Sequence, residues 1–153
     1  MKQSHRNLFL ANFIATDHFN SMKRINISAD TSINIASFFL RIACALMLMH
    51  GWNKLSHFSE KSATFSDPLH VGHTLSLAMT VFAEFFCTLF VIAGLFTRLA
   101  LLPLIFCMII IIFVVSAKES LEDREGALMY LLVYLATFYV GSGKYSLDHL
   151  LRK

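Results

Sequence analysis

The chain has 153 residues, a single-domain length, with 56% hydrophobic and 15% charged residues and a formal net charge of +3. Soluble domains carry about 25% charged residues, and here the apolar residues fall into runs with the basic residues gathered at their ends. That pattern argues against a soluble bundle and against a nucleic-acid-binding surface.

Residues 1–33 are polar and carry Lys2, Arg6, Lys23 and Arg24. The stretch NLFLANFIA is too short to span a bilayer. It resembles a signal peptide only superficially, because no small-x-small cleavage site follows. The segment reads as a cytoplasmic tail. Four apolar runs then follow, over 34–56, 73–95, 99–117 and 126–141. A helix of about 20 apolar residues crosses a hydrocarbon core roughly 30 Å thick. The first three runs meet that length, and the fourth is short but has aromatic residues and polar flanks. The expectation is an all-α, polytopic membrane protein: a four-transmembrane-helix bundle.

The first span is expected to be capped by Asp30, Thr31 or Ser32. It carries Arg41 in its body and closes on His50, Gly51, Trp52, Asn53 and Lys54. Trp52 and Lys54 suit an interface, with the ring at headgroup depth and the ammonium reaching water. His50 and Lys54 share a helix face about 180° and 220° round from Arg41. One straight helix therefore cannot aim all three at one point: either Gly51 permits a bend or there are two sites. The loop over 57–71 holds His57 and His70, with His73 just after it. No tight ligand spacing supports a metal site there.

The second span carries Glu84 at its centre, within a small, polar stripe of Thr80, Glu84, Cys87 and Thr88. The brief turn Gly94-Leu95-Phe96-Thr97-Arg98 makes the second and third helices antiparallel neighbours. The third run, LALLPLIFCMIIIIFVVSA, is apolar on every face, with Pro103 in its first turns. KESLEDREG, 118–126, reads as a loop or a helix end. Tyr130, Tyr134 and Thr137 share one face of the fourth helix. The final GSGK lacks the spacing and the strand of a phosphate loop. Gly141 and Gly143 are expected to end the helix, and Ser146 or Asp148 to cap the short segment after it. Cys44, Cys87 and Cys107 all fall inside spans without metal-ligand spacing and read as small core residues.

Lys and Arg set the orientation. With the N-terminus inside, eight of them (Lys2, Arg6, Lys23, Arg24, Arg98, Lys144, Arg152, Lys153) lie inside and four (Lys54, Lys61, Lys118, Arg124) outside. Both termini are therefore expected in the cytoplasm.

Arg41 and Glu84 are ionisable groups inside apolar spans, where an isolated charge costs about 2.5–3.5 kcal/mol. Counted from Ser32 and Gly72 at 1.5 Å per residue, they reach about 13 Å and about 18 Å into the membrane from opposite faces. These depths nearly coincide, so the expectation is a buried Arg41–Glu84 pair. Such a pair either locks the bundle or lines a cavity that receives an anion, a proton or a quinone headgroup. His50 either shuttles protons to such a site or sits at the interface. Tyr130 and Tyr134 either line the cavity or pack.

Three pieces, LRIACALMLMHGWNKL (40–55), AEFFCTLFVIAGLFTR (83–98) and EGALMYLLVYLATFYVGSGKYSLDHLL (125–151), resemble in order and spacing the DoxX family of small four-helix membrane proteins. The resemblance begins near residue 36 and leaves the N-terminal tail outside. It implies a bilayer-embedded protein of the bacterial cytoplasmic membrane. Some relatives are small subunits of a thiosulfate:quinone oxidoreductase, and others belong to membrane assemblies of thiol and oxidative-stress defence. No cysteine pair, haem motif or dinucleotide fingerprint supplies a redox centre in this chain. The reading is therefore a membrane subunit handling a quinone or a sulfur compound, with no intrinsic cofactor and the redox centre on a soluble or membrane partner. A homo-oligomer is a candidate assembly. The alternatives are a small transporter or channel with Arg41 and Glu84 in its pathway, or a membrane scaffold without catalysis.

Overall fold

The computed structural model describes residues 28–151. The chain divides into two units, Met1–Ser32 and Ile33–Lys153, and the fold below is that of the second, with 28–32 entering only as the start of the first helix. Most of the expected N-terminal tail, residues 1–27, lies outside the described residues, as do Arg152 and Lys153.

The regular elements among the described residues are all helices, without strands. The first span is α1 (Ala29–Ala45) followed, after a turn at Leu46, by α2 (Met47–Ser56). Its start lies ahead of the expected boundary, and Ser28 is the cap: its hydroxyl accepts from the Thr31 amide at 3.3 Å. A short α3 (Phe58–Lys61) leads into the loop. The second span is α4 (His73–Val81), a wide π turn at Phe82–Cys87, and α5 (Thr88–Ala93). The third is α6 (Thr97–Ile110), continued by a second π stretch at Ile111–Val115. Pro103 falls in the second turn of α6, which starts at Thr97, past the opening amides that lack a partner within the helix.

The fourth helix, α7 (Leu121–Val140), starts within the hydrophilic stretch 118–126, the helix-end alternative of the two expected there. Ser120 and Asp123 close it with a reciprocal capping box, and Glu122 and Asp123 lie at the positive end of its dipole. Among the described residues, three helical runs are long and apolar enough to cross a membrane: Ala29–Ser56, His73–Ala93 and Thr97–Val115. In α7, Glu122, Asp123, Arg124 and Glu125 shorten the apolar part to 126–140. Well-exposed Phe39, Leu99 and Phe113 form the outer surface, as expected where the solvent is lipid.

The close approach of the first two spans sets the register. A Cβ on Gly51 would lie 2.7 Å from the Glu84 carbonyl carbon and 2.7 Å from the Phe85 nitrogen. The helix backbones touch here, as small residues allow in membrane helices. Stepping ten residues down each antiparallel helix brings Arg41 to Gly94, and a Cβ on Gly94 would lie 2.7 Å from Arg41 Nη1.

The C-terminal segment closes that end of the bundle. Gly141 and Gly143 have φ of +82° and +68°, which ends α7 as expected. The Ser37 hydroxyl donates to Gly141 O at 2.7 Å, and the Lys144 amide donates to Asn34 Oδ1 at 2.8 Å. Ser146 caps α8 (Leu147–Leu151), its hydroxyl accepting from the His149 amide. Asp148 instead caps α6, accepting from the amides of Phe96 and Thr97.

Gly51→Ala should separate the helices or force a backbone shift, costing about 1–3 kcal/mol as overpacking does. Gly126→Ala, with nothing near its added Cβ, is the control. Thermal unfolding in detergent should show a clear loss for the first and none for the second.

Candidate functional site

Glu84 projects from the π turn Phe82–Cys87, where the extra residue in the turn shifts it off ideal helical register. Its carboxylate is 1% exposed and pairs with Lys54: Nζ donates to Oε2 at 2.5 Å. The Arg41–Glu84 pair expected from sequence does not form. Arg41 lies some ten residues away along the second span, about 15 Å at helical rise. It donates from Nη1 to Ile92 O at 3.4 Å and from Nη2 to Tyr145 O at 2.7 Å, and Nε has no partner. The depth argument failed because Gly51 packs on the Glu84–Phe85 peptide and fixes a different register, although the second helix starts at His73 as assumed. Lys54 reaches inward to a carboxylate instead of snorkelling out. Of the two alternatives, a bend at Gly51 or two sites, the polar residues take the second: Lys54 meets Glu84, and Arg41 meets Ile92 and Tyr145.

The Lys54–Glu84 pair lies at one wall of a cavity of about 630 Å³ between the second and third spans. That is the size of a small-molecule site. Its other walls are apolar, including Met79, Phe82, Phe106 and Ile110, with Thr80 and Cys107 as further polar groups. Loop residues Phe65, Ser66, Pro68 and Leu69 also line it. That loop is clasped to the start of the second span by Asp67. Its carboxylate accepts from the Ser76 hydroxyl at 2.6 Å and from the amides of Val71 (3.0 Å) and Gly72 (2.7 Å). The Ser76 hydrogen bond, aided by those amides and by the nearby His73, holds the Asp67 carboxyl below its ordinary value.

The other candidates lie elsewhere. His50 is exposed, its ring edge-on to Tyr130 with centroids 6.1 Å apart, and Tyr130 stacks on Tyr134 at 6.1 Å. These three form an aromatic file between the first span and α7, and none lines the cavity. Tyr134 is fully buried with its hydroxyl unpartnered. His57 and His73 bond backbone carbonyls of Asn53 and Phe65. Among the described residues no group of three His, Cys, Asp or Glu could hold a metal ion. Sequence reasoning missed Asp67, Thr80 and Cys107 as parts of the site. Asp67-Pro68 ahead of Gly72 is a turn signal that points to the clasp; nothing local marks Cys107.

A family model, DoxX, matches residues 36–117, more than half of the chain. No curated protein and no solved structure matches it.

Breaking a buried ion pair from one side costs about 3–5 kcal/mol. Lys54→Met and Glu84→Leu should each lower thermal stability by an amount near the bottom of that range, since Lys54 keeps some exposure. The double mutant should recover most of the loss. Arg41→Met combined with Glu84→Leu should be additive. The Asp67 clasp contributes stability above the ordinary carboxylate value of 3.8, and that contribution disappears as pH falls through the lower folded value. An acid-unfolding series comparing the native chain with Asp67→Asn should show the native chain losing its advantage only in that acidic window.

Proposed function

Since the chain belongs to the DoxX family and is an integral membrane protein, we propose that it is the membrane subunit of a quinone- or sulfur-linked redox system whose redox centre sits on a partner. The observation that carries this reading is the buried Lys54–Glu84 pair in the wall of an apolar cavity of about 630 Å³. An apolar pocket with a few convergent polar groups is the form of a small-molecule site. A quinone suits it chemically: the ring and tail meet apolar walls, the Lys54 ammonium donates to a quinone oxygen, and the Glu84 carboxylate accepts from a quinol hydroxyl. Arg41 works as a lock in this reading, tying α1 to the end of the second span and to the C-terminal segment. The transport alternative rested on Arg41 and Glu84 sharing a pathway, and their separation removes that support. In the proposal α7 completes a four-span bundle in a bacterial cytoplasmic membrane with both termini inside.

Membranes carrying the chain with its partner should reduce quinone from a sulfur donor such as thiosulfate. Membranes with Glu84→Gln should lose that activity while still holding the chain. Equal rates with and without the chain, across candidate donors, would count against the proposal. The topology has its own test in cysteine substitutions at Ala63 and Lys144, both exposed. An impermeant maleimide applied from outside should label the first and not the second.

A further inference from the structure

We propose that the cavity takes electrically neutral amphiphiles from the bilayer and rejects anionic ones, and that the Lys54–Glu84 pair makes this selection. The inference rests on the reading of the cavity as a ligand site and adds the charge class of its ligand.

The route of entry follows from the rim. Met79, Phe82, Phe106 and Val115 line the cavity and are also well exposed on the outside of the bundle. On a membrane protein that outside is lipid, so the cavity communicates with the bilayer between the second and third spans. The 65–69 loop closes it at the end where the second span starts, clasped there by Asp67. A molecule already dissolved in the bilayer is the natural entrant.

The charge selection follows from the lining. Lys54 and Glu84 are the only charged residues among the described ones that line the cavity, and they cancel. An anionic headgroup would bring an uncompensated charge into an apolar site, or displace Glu84 from Lys54 and leave a carboxylate buried alone. A neutral headgroup with a hydroxyl or carbonyl meets no such penalty. Lys54 uses one of its three N–H donors on Glu84, which leaves donors for a carbonyl or hydroxyl oxygen. Removing the Glu84 charge inverts the preference, because the lone ammonium then calls for a carboxylate in the place Glu84 held.

Cys107 lines the cavity, while Cys44 and Cys87 are buried, so it serves as a native reporter. The full chain in lipid nanodiscs would be treated with N-ethylmaleimide in the presence of dodecanol or dodecanoate, and Cys107 modification read by mass spectrometry. For the native chain, dodecanol should protect at a bilayer concentration at least about tenfold below that of dodecanoate. For Glu84→Gln the order should reverse. Dodecanoate protecting the native chain as well as dodecanol, or better, overturns the charge selection and leaves the ligand site standing. No protection by either probe overturns both. The native-chain comparison decides the matter even where Glu84→Gln fails to fold. Where the variant folds, an unchanged order removes the pair as the selecting element.

Discussion

The contact of Gly51 with the Glu84–Phe85 peptide is the constraint from which the rest of the structure follows. Lipid offers no hydrophobic drive between helices, so two spans associate where their backbones can approach and dispersion contacts accumulate. Only a residue without Cβ fits at that crossing. Once it is fixed, the antiparallel register determines which buried charges can meet. Lys54, one turn past Gly51, falls beside Glu84. Arg41, ten residues before Gly51, falls at the far end of the second span. The same contact therefore makes an ion pair at one depth and a hydrogen-bonded lock at another.

Arg41 needs no carboxylate because of where the register leaves it. The second span ends at Ala93, and Ile92 O is among the last carbonyls of that helix, which have no acceptor role within it. These carbonyls form the negative end of the helix dipole, a favourable place for a cation. Tyr145 O, carried in by the turn at Gly141 and Gly143, supplies a second acceptor. Gly94 leaves space for the guanidinium that a side chain there would fill. Arginine, glycine turn and C-terminal segment are parts of one clamp, which accounts for their joint presence in the sequence without any ligand.

The apolar runs were legible because length and composition alone decide whether a helix can cross a bilayer. The spans begin and end within a few residues of where hydropathy put them, except at α1 and α7. There, polar residues start the helix early: Ser28 caps chain that composition alone reads as tail, and the Ser120–Asp123 box caps chain that it reads as a loop or a helix end. The family was legible too, through motifs that the structure assigns mainly to the clamp and the ion pair. What sequence could not give was the partner of Glu84. Depth counted along each helix separately carries an error of several residues at each end, and a charge pair is lost by a shift of a single turn. The crossing point is a property of two helices together, and a lone glycine does not announce which peptide it will touch. His50, Tyr130 and Tyr134 were candidates for the same reason: their shared faces are local facts, but the cavity lies on the other side of the second span, against the third.

The cavity is also a consequence of irregular helix rather than of loose packing. Glu84 rises from the π turn at Phe82–Cys87, and Ile111 and Val115 of the facing wall belong to the second π stretch. Each inserted residue widens a turn and pushes neighbouring side chains off the stripe that ideal helices would interdigitate. Pro103, on the same wall, denies α6 a backbone donor in its interior. Three departures from regular helix thus surround one volume, and among the described residues the only charged groups facing it are a pair that sums to zero. Irregular backbone at membrane depth persists where it is buried in protein or lines a cavity. Here it does both at the wall that holds Glu84, whereas Arg41 stands on regular helix.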